Sequence, residues 1–161
     1  MTGNASPSIS VYVDADACPV KDEVARVATR HGLPVHFVAN KWMRLPEGEL
    51  FHRVLVPQGP DVADDWIAEH ATARDIVITA DIPLAARCVP KGASVLNHNG
   101  KPFNTNNIGM TLATRNLMTH LRETGTASTY NPGFTPKDRS RFLEAMESAV
   151  QAIRRARDGK G

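Results

Sequence analysis

The sequence predicts an α/β fold, with a mainly parallel central sheet flanked by helices. Three observations carry that expectation. Short β-branched runs alternate with stretches whose apolar residues recur at helical spacing, the pattern of βαβ units. One run, DIVITA at 75–80, is apolar almost throughout, as in strands buried on both faces. Pro19, Gly32 and Gly125 fall at segment ends, where helices start and stop.

In chain order, residues 1–8 read as a disordered lead, 9–157 as a single domain and 158–161 as a tail. Ile9–Asp14 (ISVYVD) is a β-branched and aromatic run and is expected to be a strand. Pro19 suits the first turn of a helix reaching about His31, with Val20, Val24, Val27 and Ala28 on one face. PVHFVAN (34–40) and LFHRVLV (50–56) supply the second and third strands. A helix is expected over 61–72, its stripe formed by Ala63, Trp66, Ile67 and Ala71. The fourth strand, 75–80, precedes a short helix over 84–89 and a small strand over 94–96. A helix over 111–123, a loop over 126–135 and an amphipathic helix over 136–157 complete the chain. Phe142, Leu143, Met146, Val150 and Ile153 form the apolar stripe of that last helix. No internal repeat or low-complexity segment interrupts this order.

Composition narrows the function classes. The 161 residues are 42% apolar and 22% charged, the balance of an ordinary globular protein. No apolar run approaches the ~20 residues that span a bilayer. The opening MTGNASPSIS has neither a basic end nor an apolar stretch, so a secretory signal is not expected and a cytoplasmic location is. Cys18 and Cys88 are too few for a disulfide scaffold or a four-ligand zinc site. The six histidines show no metal-ligand spacing.

Charge is uneven although the net is only +2. Residues 1–85 carry 7 Lys/Arg against 12 Asp/Glu, and residues 86–161 carry 12 against 5. Such a division suits an enzyme whose carboxylates hold cations while its bases meet phosphates. It equally suits two charge sets that interleave in space.

Open parallel sheets bind ligands at the carboxyl ends of their strands. Three acidic clusters fall there: Asp14 and Asp16 after the first strand, Asp81 after the fourth, and Asp61, Asp64 and Asp65 after the third. If the first and fourth strands are neighbours, Asp14, Asp16 and Asp81 share one crevice. Crowded carboxylates raise one another's pKa, and a hard cation such as Mg²⁺ or Mn²⁺ relieves the conflict. Each acid also has a plainer reading, as a helix cap or a first-turn acid favoured by the helix dipole. Asp14 and Asp81 are harder to explain that way, because a carboxylate ending a buried strand is costly unless paired.

The segments VDADACPVKDE, GPDVADDWI, DIVITADIPLAARCVPKGA and NGKPFNTNNI resemble the YaiI/YqxD family of small bacterial proteins, over roughly residues 10–145. That family is grouped with PIN-like domains, whose better-known members are Mg²⁺- or Mn²⁺-dependent nucleases. The resemblance implies a three-layer PIN-like fold. Asp14 matches the Asp that ends the first strand, Asp64 or Asp65 the acid of a middle helix, and Thr79 with Asp81 a Thr-x-Asp after the fourth strand. Pro83 stands where many PIN-like nucleases carry a further Asp.

The resulting expectation is a metal-dependent nuclease acting on RNA or single-stranded DNA. Asp14, Asp64 or Asp65, and Asp81 would hold the metal, and Asp16 would assist catalysis. Lys21, Lys91 and Arg115 would meet phosphates. Thr105, Asn106 and Asn107 either bind phosphate or cap the following helix. Trp42 and Phe51, around Lys41–Arg44, either stack bases or pack a loop. Two other readings compete. One is a non-catalytic RNA-binding module; the other is an aspartyl-phosphate phosphatase built on the D-x-D of VDADA. The phosphatase reading needs an Asp pair after Thr79, whereas the pair precedes it.

Overall fold

The computed structural model describes residues 9–16, 18–59, 61–109 and 134–158. The expected lead, the 111–123 helix with Arg115 and its Gly125 stop, and most of the 126–135 loop and of the tail lie outside them. The elements are β1 (Val11–Asp14), α1 (Lys21–His31), β2 (Val35–Ala39), β3 (Phe51–Leu55), α2 (Val62–His70) and β4 (Ile76–Ile78). They continue with α3 (Ile82–Cys88), a 3₁₀ turn (Val89–Lys91), β5 (Ser94–Leu96), β6 (Pro102–Phe103) and α4 (Pro136–Asp158).

The six strands form one sheet in the order β3-β2-β1-β4-β5-β6. All neighbours are parallel except β5 and β6. The chain builds outward from β1 to β3, then returns to the other side of β1 with β4. That reversal opens a crevice at the carboxyl ends of β1 and β4.

Strand alternation divides the core in two, because successive side chains point to opposite faces. Val11 and Val13 of β1, Phe37 of β2 and Ile76 and Ile78 of β4 meet α1 and α4 on one face. Tyr12, Val38, Val77 and Val95 meet α2 and α3 on the other.

Three local features differ from the sequence expectation. Helix α1 begins at Lys21, and Pro19 belongs to the preceding turn. Helix α3 begins two residues early because Asp81 Oδ1 accepts a hydrogen bond from the Leu84 amide at 3.0 Å and caps it. Strand β6 was not expected; two residues carry too little pattern to show. It is set by the turn at Gly100 (φ +88°), where an added Cβ would stand 2.6 Å from the Arg141 carbonyl oxygen. Glycine is required there on both counts.

Helix α4 is bound to α1 by polar contacts as well as by its apolar stripe. Arg139 Nη1 pairs with the buried Glu23 at 2.5 Å. Glu147 accepts from Arg30, His31 and Gln151. The Gln151 and His31 hydrogen bonds hold the Glu147 carboxyl down to about 2, against an ordinary 4.5. Its stabilisation is therefore present above about pH 4.5 and is lost as pH falls toward 2. Glu147→Gln is expected to lower the neutral-pH melting temperature and to flatten the acid limb across that window, as thermal melts at stepped pH would record.

Candidate functional site

The alternation that places Val11 and Val13 toward α1 turns Tyr12 and Asp14 toward α2 and α3. Asp14 thus ends β1 beside the amino-terminal turns of two helices. Thr79, fully buried just after β4, links the two acids flanking the crevice. Its Oγ1 donates to Asp14 Oδ2 at 3.0 Å and accepts from the Asp81 amide at 2.9 Å. Asp64 enters from the first turn of α2.

The three carboxylates lie in one another's field. Burial, offset by the Thr79 hydroxyl and reinforced by Asp81 and Asp16, pushes Asp14 up to about 6. Burial, with Asp81, Asp14 and Asp61 adding, pushes Asp64 up to about 6 as well. Among the described residues no ion pair joins Asp14, Asp64 or Asp81 to a base.

The choice between Asp64 and Asp65 rests on helix rotation. Asp65 is exposed and pairs with Arg87 of α3 at 2.6 Å. Exposed pairs of this kind contribute under about 1 kcal/mol. Asp65→Ala is accordingly expected to leave stability within that margin, measured by urea unfolding. Asp61 occupies the N-cap position of α2 in the left-handed region (φ 66°), and its side chain makes no capping bond.

The other expected residues are distributed around the crevice and beyond it. Asp16 Oδ2 accepts from the Asn40 amide at 3.2 Å, while its buried Oδ1 has no partner among the described residues. Lys21 Nζ folds back onto the Cys18 carbonyl at 2.8 Å. Lys91 Nζ donates to the Ala68 carbonyl, well down α2 from Asp64. Asn107 belongs to a turn in which it and Asn104 exchange side-chain-to-amide bonds, with exposed Thr105 between them. Burial lifts the Cys18 thiol to about 11, which leaves it inert at neutral pH.

Sequence reasoning missed three polar groups. Arg87, which takes up Asp65, and the Asn40 amide, which takes up Asp16, carry no local signal. Nor does His98, whose buried Nε2 lacks a partner among the described residues. A fourth feature spans strands: Tyr12, His36 and His52 stack in register across β1–β3, at ring spacings of 5.0 and 5.1 Å.

Fold and site together define an open, mainly parallel α/β protein with an acidic crevice at its switch point. The chain belongs to the Uncharacterized BCR, YaiI/YqxD family, whose model matches residues 12–152. It is 61% identical over 145 residues to a UPF0178 protein of Parvibaculum lavamentivorans, covering 90% of this chain and 95% of that one. A UPF0178 protein of Gluconobacter oxydans is 57% identical, with 90% and 83% covered. One from Bradyrhizobium is 54% identical over 157 residues, with 98% and 95% covered. No solved structure matches the chain significantly. No helix among the described residues is long and apolar enough to cross a membrane.

Proposed function

We propose that this protein is a metal-dependent phosphodiesterase acting on RNA or single-stranded DNA, with Asp14, Asp64 and Asp81 holding Mg²⁺ or Mn²⁺. The observation that carries this reading is the convergence of three carboxylates from separate elements, two of them pushed up to about 6. The order of Asp14, the α2 acid and Thr79-x-Asp81 follows the PIN-like pattern.

The donor set is hard oxygen throughout, which suits these cations. Asp14 and Asp81 each give one oxygen to a protein hydrogen bond and keep the other. Among the described residues no three acidic, His or Cys side chains stand close enough together to hold an ion as they are. The proposal therefore requires the carboxylates to move together when a cation binds. When bound, the cation supplies charge neutralisation at the phosphate and acidifies water. Thr79 would orient Asp14 and Asp81 through its two hydrogen bonds. Asp16 would assist from the turn after β1, where the Asn40 amide holds its Oδ2.

Turnover of a mixed RNA and DNA panel in Mn²⁺, run beside Asp14→Asn, tests the proposal. Metal-dependent cleavage by the parent alone supports it; equal or absent cleavage in both sinks it. A non-catalytic nucleic-acid-binding role is the second reading. It is favoured by the commitment of Asp81 Oδ1 to the Leu84 amide and by Pro83, and it predicts binding by both proteins with cleavage by neither.

Saturating Mn²⁺ should also stabilise the fold. At 100 times its dissociation constant, mass action gives about 2.7 kcal/mol. A melting temperature indifferent to Mg²⁺ and Mn²⁺ alike would count against the site.

A further inference from the structure

The connection from β2 to β3 is unusual. Parallel neighbours are ordinarily joined through a helix, yet residues 40–50 cross over without one. Part of this loop packs inward, through Met43 and Leu45 against the α1 side of the core. Its other face is turned to solvent and carries Trp42, 67% exposed, with exposed Lys41 and Arg44.

Leaving an indole in water forfeits the burial that a large apolar side chain ordinarily gains. Trp42 is nevertheless held in place. The Arg53 guanidinium of edge strand β3 lies 4.9 Å from the ring centroid. Arg53 Nη2 also donates to the Met43 carbonyl at 2.9 Å, tying strand to loop. One face of the indole is thus covered by a cation, and its exposure leaves the other face open.

Two cavities meet on this loop. One of about 450 Å³ is lined by Trp42, Arg44, Arg53 and Phe51, with Glu47 at its wall. The second, of about 390 Å³, is lined by Lys21, Cys18 and Asp22 at the start of α1. Arg44, Leu45 and Pro46 line both, so the two are separated by one short stretch of chain. The amide of Asn40 donates to Asp16 in the acidic turn, and Trp42 follows two residues later. An extended chain covers at most about 7 Å in that distance.

We propose that the β2–β3 loop is a platform for single-stranded nucleic acid, with a base on the open face of Trp42. The adjoining phosphates meet Arg44, Arg53 and Lys21, and the strand runs toward the crevice at Asp16 and Asp14. Stacking is indifferent to base identity, and the unpaired strand is selected because only its bases present their faces. The proposal rests on the nuclease reading only for what happens to the strand afterwards.

The test is binding of a dye-labelled oligouridine in EDTA, read by anisotropy and by tryptophan quenching. Trp42→Ala is expected to weaken binding about tenfold or more, the loss of one stacked base. Trp42→Phe should recover part of it, and Trp66→Phe should leave binding and quenching intact. Arg44→Glu should weaken binding and make it less dependent on salt. Unchanged affinity in Trp42→Ala would overturn the platform, as would equal competition by polyglutamate or by duplex RNA. Asp14→Asn separates the two proposals. Binding that survives in it while no protein cleaves removes the nuclease reading alone. Asp14-dependent cleavage without a Trp42 contribution removes the platform alone.

Discussion

Asp14→Asn is expected to abolish cleavage while making the metal-free protein more stable at pH 7. Both effects follow from one carboxylate. Substitutions around a metal's ligands commonly cost 10–100-fold, so if Asp14 is the ligand proposed above, its loss should cost at least about a hundredfold in turnover. The stability gain has the opposite sign. The Asp14 carboxyl is raised from 3.8 to about 6, chiefly by burial. Its ionised form therefore opposes folding above about pH 6, and the penalty disappears as pH falls below about 4. At roughly 1.4 kcal/mol for each unit, removing the charge contributes up to about 3 kcal/mol at pH 7 and little at pH 4. The Asn side chain still presents an oxygen to the Thr79 hydroxyl, so the bridge survives. Urea unfolding of parent and variant at pH 7 and pH 4, without divalent cations, measures the difference. A variant less stable than the parent at pH 7 would show that Asp14 is neutralised within the fold.

Phe142→Ala is the second large effect, expected to lose about 3–5 kcal/mol. Phe142 is fully buried on α4, within the core shared by α1 and the sheet. Its backbone amide is also close to Gly100, where the β5–β6 turn meets α4. Truncation leaves a cavity that two rigid layers cannot close. Against a typical total of 5–15 kcal/mol, this is a large fraction of the whole. The melting temperature should fall by roughly 10 °C. Leu55→Ser provides the contrast: Leu55 is 57% exposed on β3 and should change stability by no more than about 0.5 kcal/mol. Equal losses from the two would mean that α4 does not close this core.

Much of the architecture was legible in the amino-acid order. DIVITA announced a central strand, and β4 lies between β1 and β5 with all three residues buried. The spacing of Val24, Val27 and Ala28 assigned the buried face of α1, and Phe142, Met146 and Val150 that of α4. The position of Asp14 at a strand end was readable too, and strand parity determines which face it takes. These properties are local: a 2- or 3.6-residue period orients each side chain relative to its own backbone.

What the chain order left open depended on neighbours distant in sequence. Whether β4 would flank β1 decided that Asp14 and Asp81 share Thr79, 65 residues from Asp14. The roll of α2 against the sheet turned Asp64 inward and delivered Asp65 to Arg87, 22 residues away. The crossover of 40–50 without a helix left Trp42 in solvent, although its composition reads as well for a packed loop. Periodicity states which way a residue faces along its element; only the packed arrangement of elements states what it faces, because charge and contact depend on distance through space.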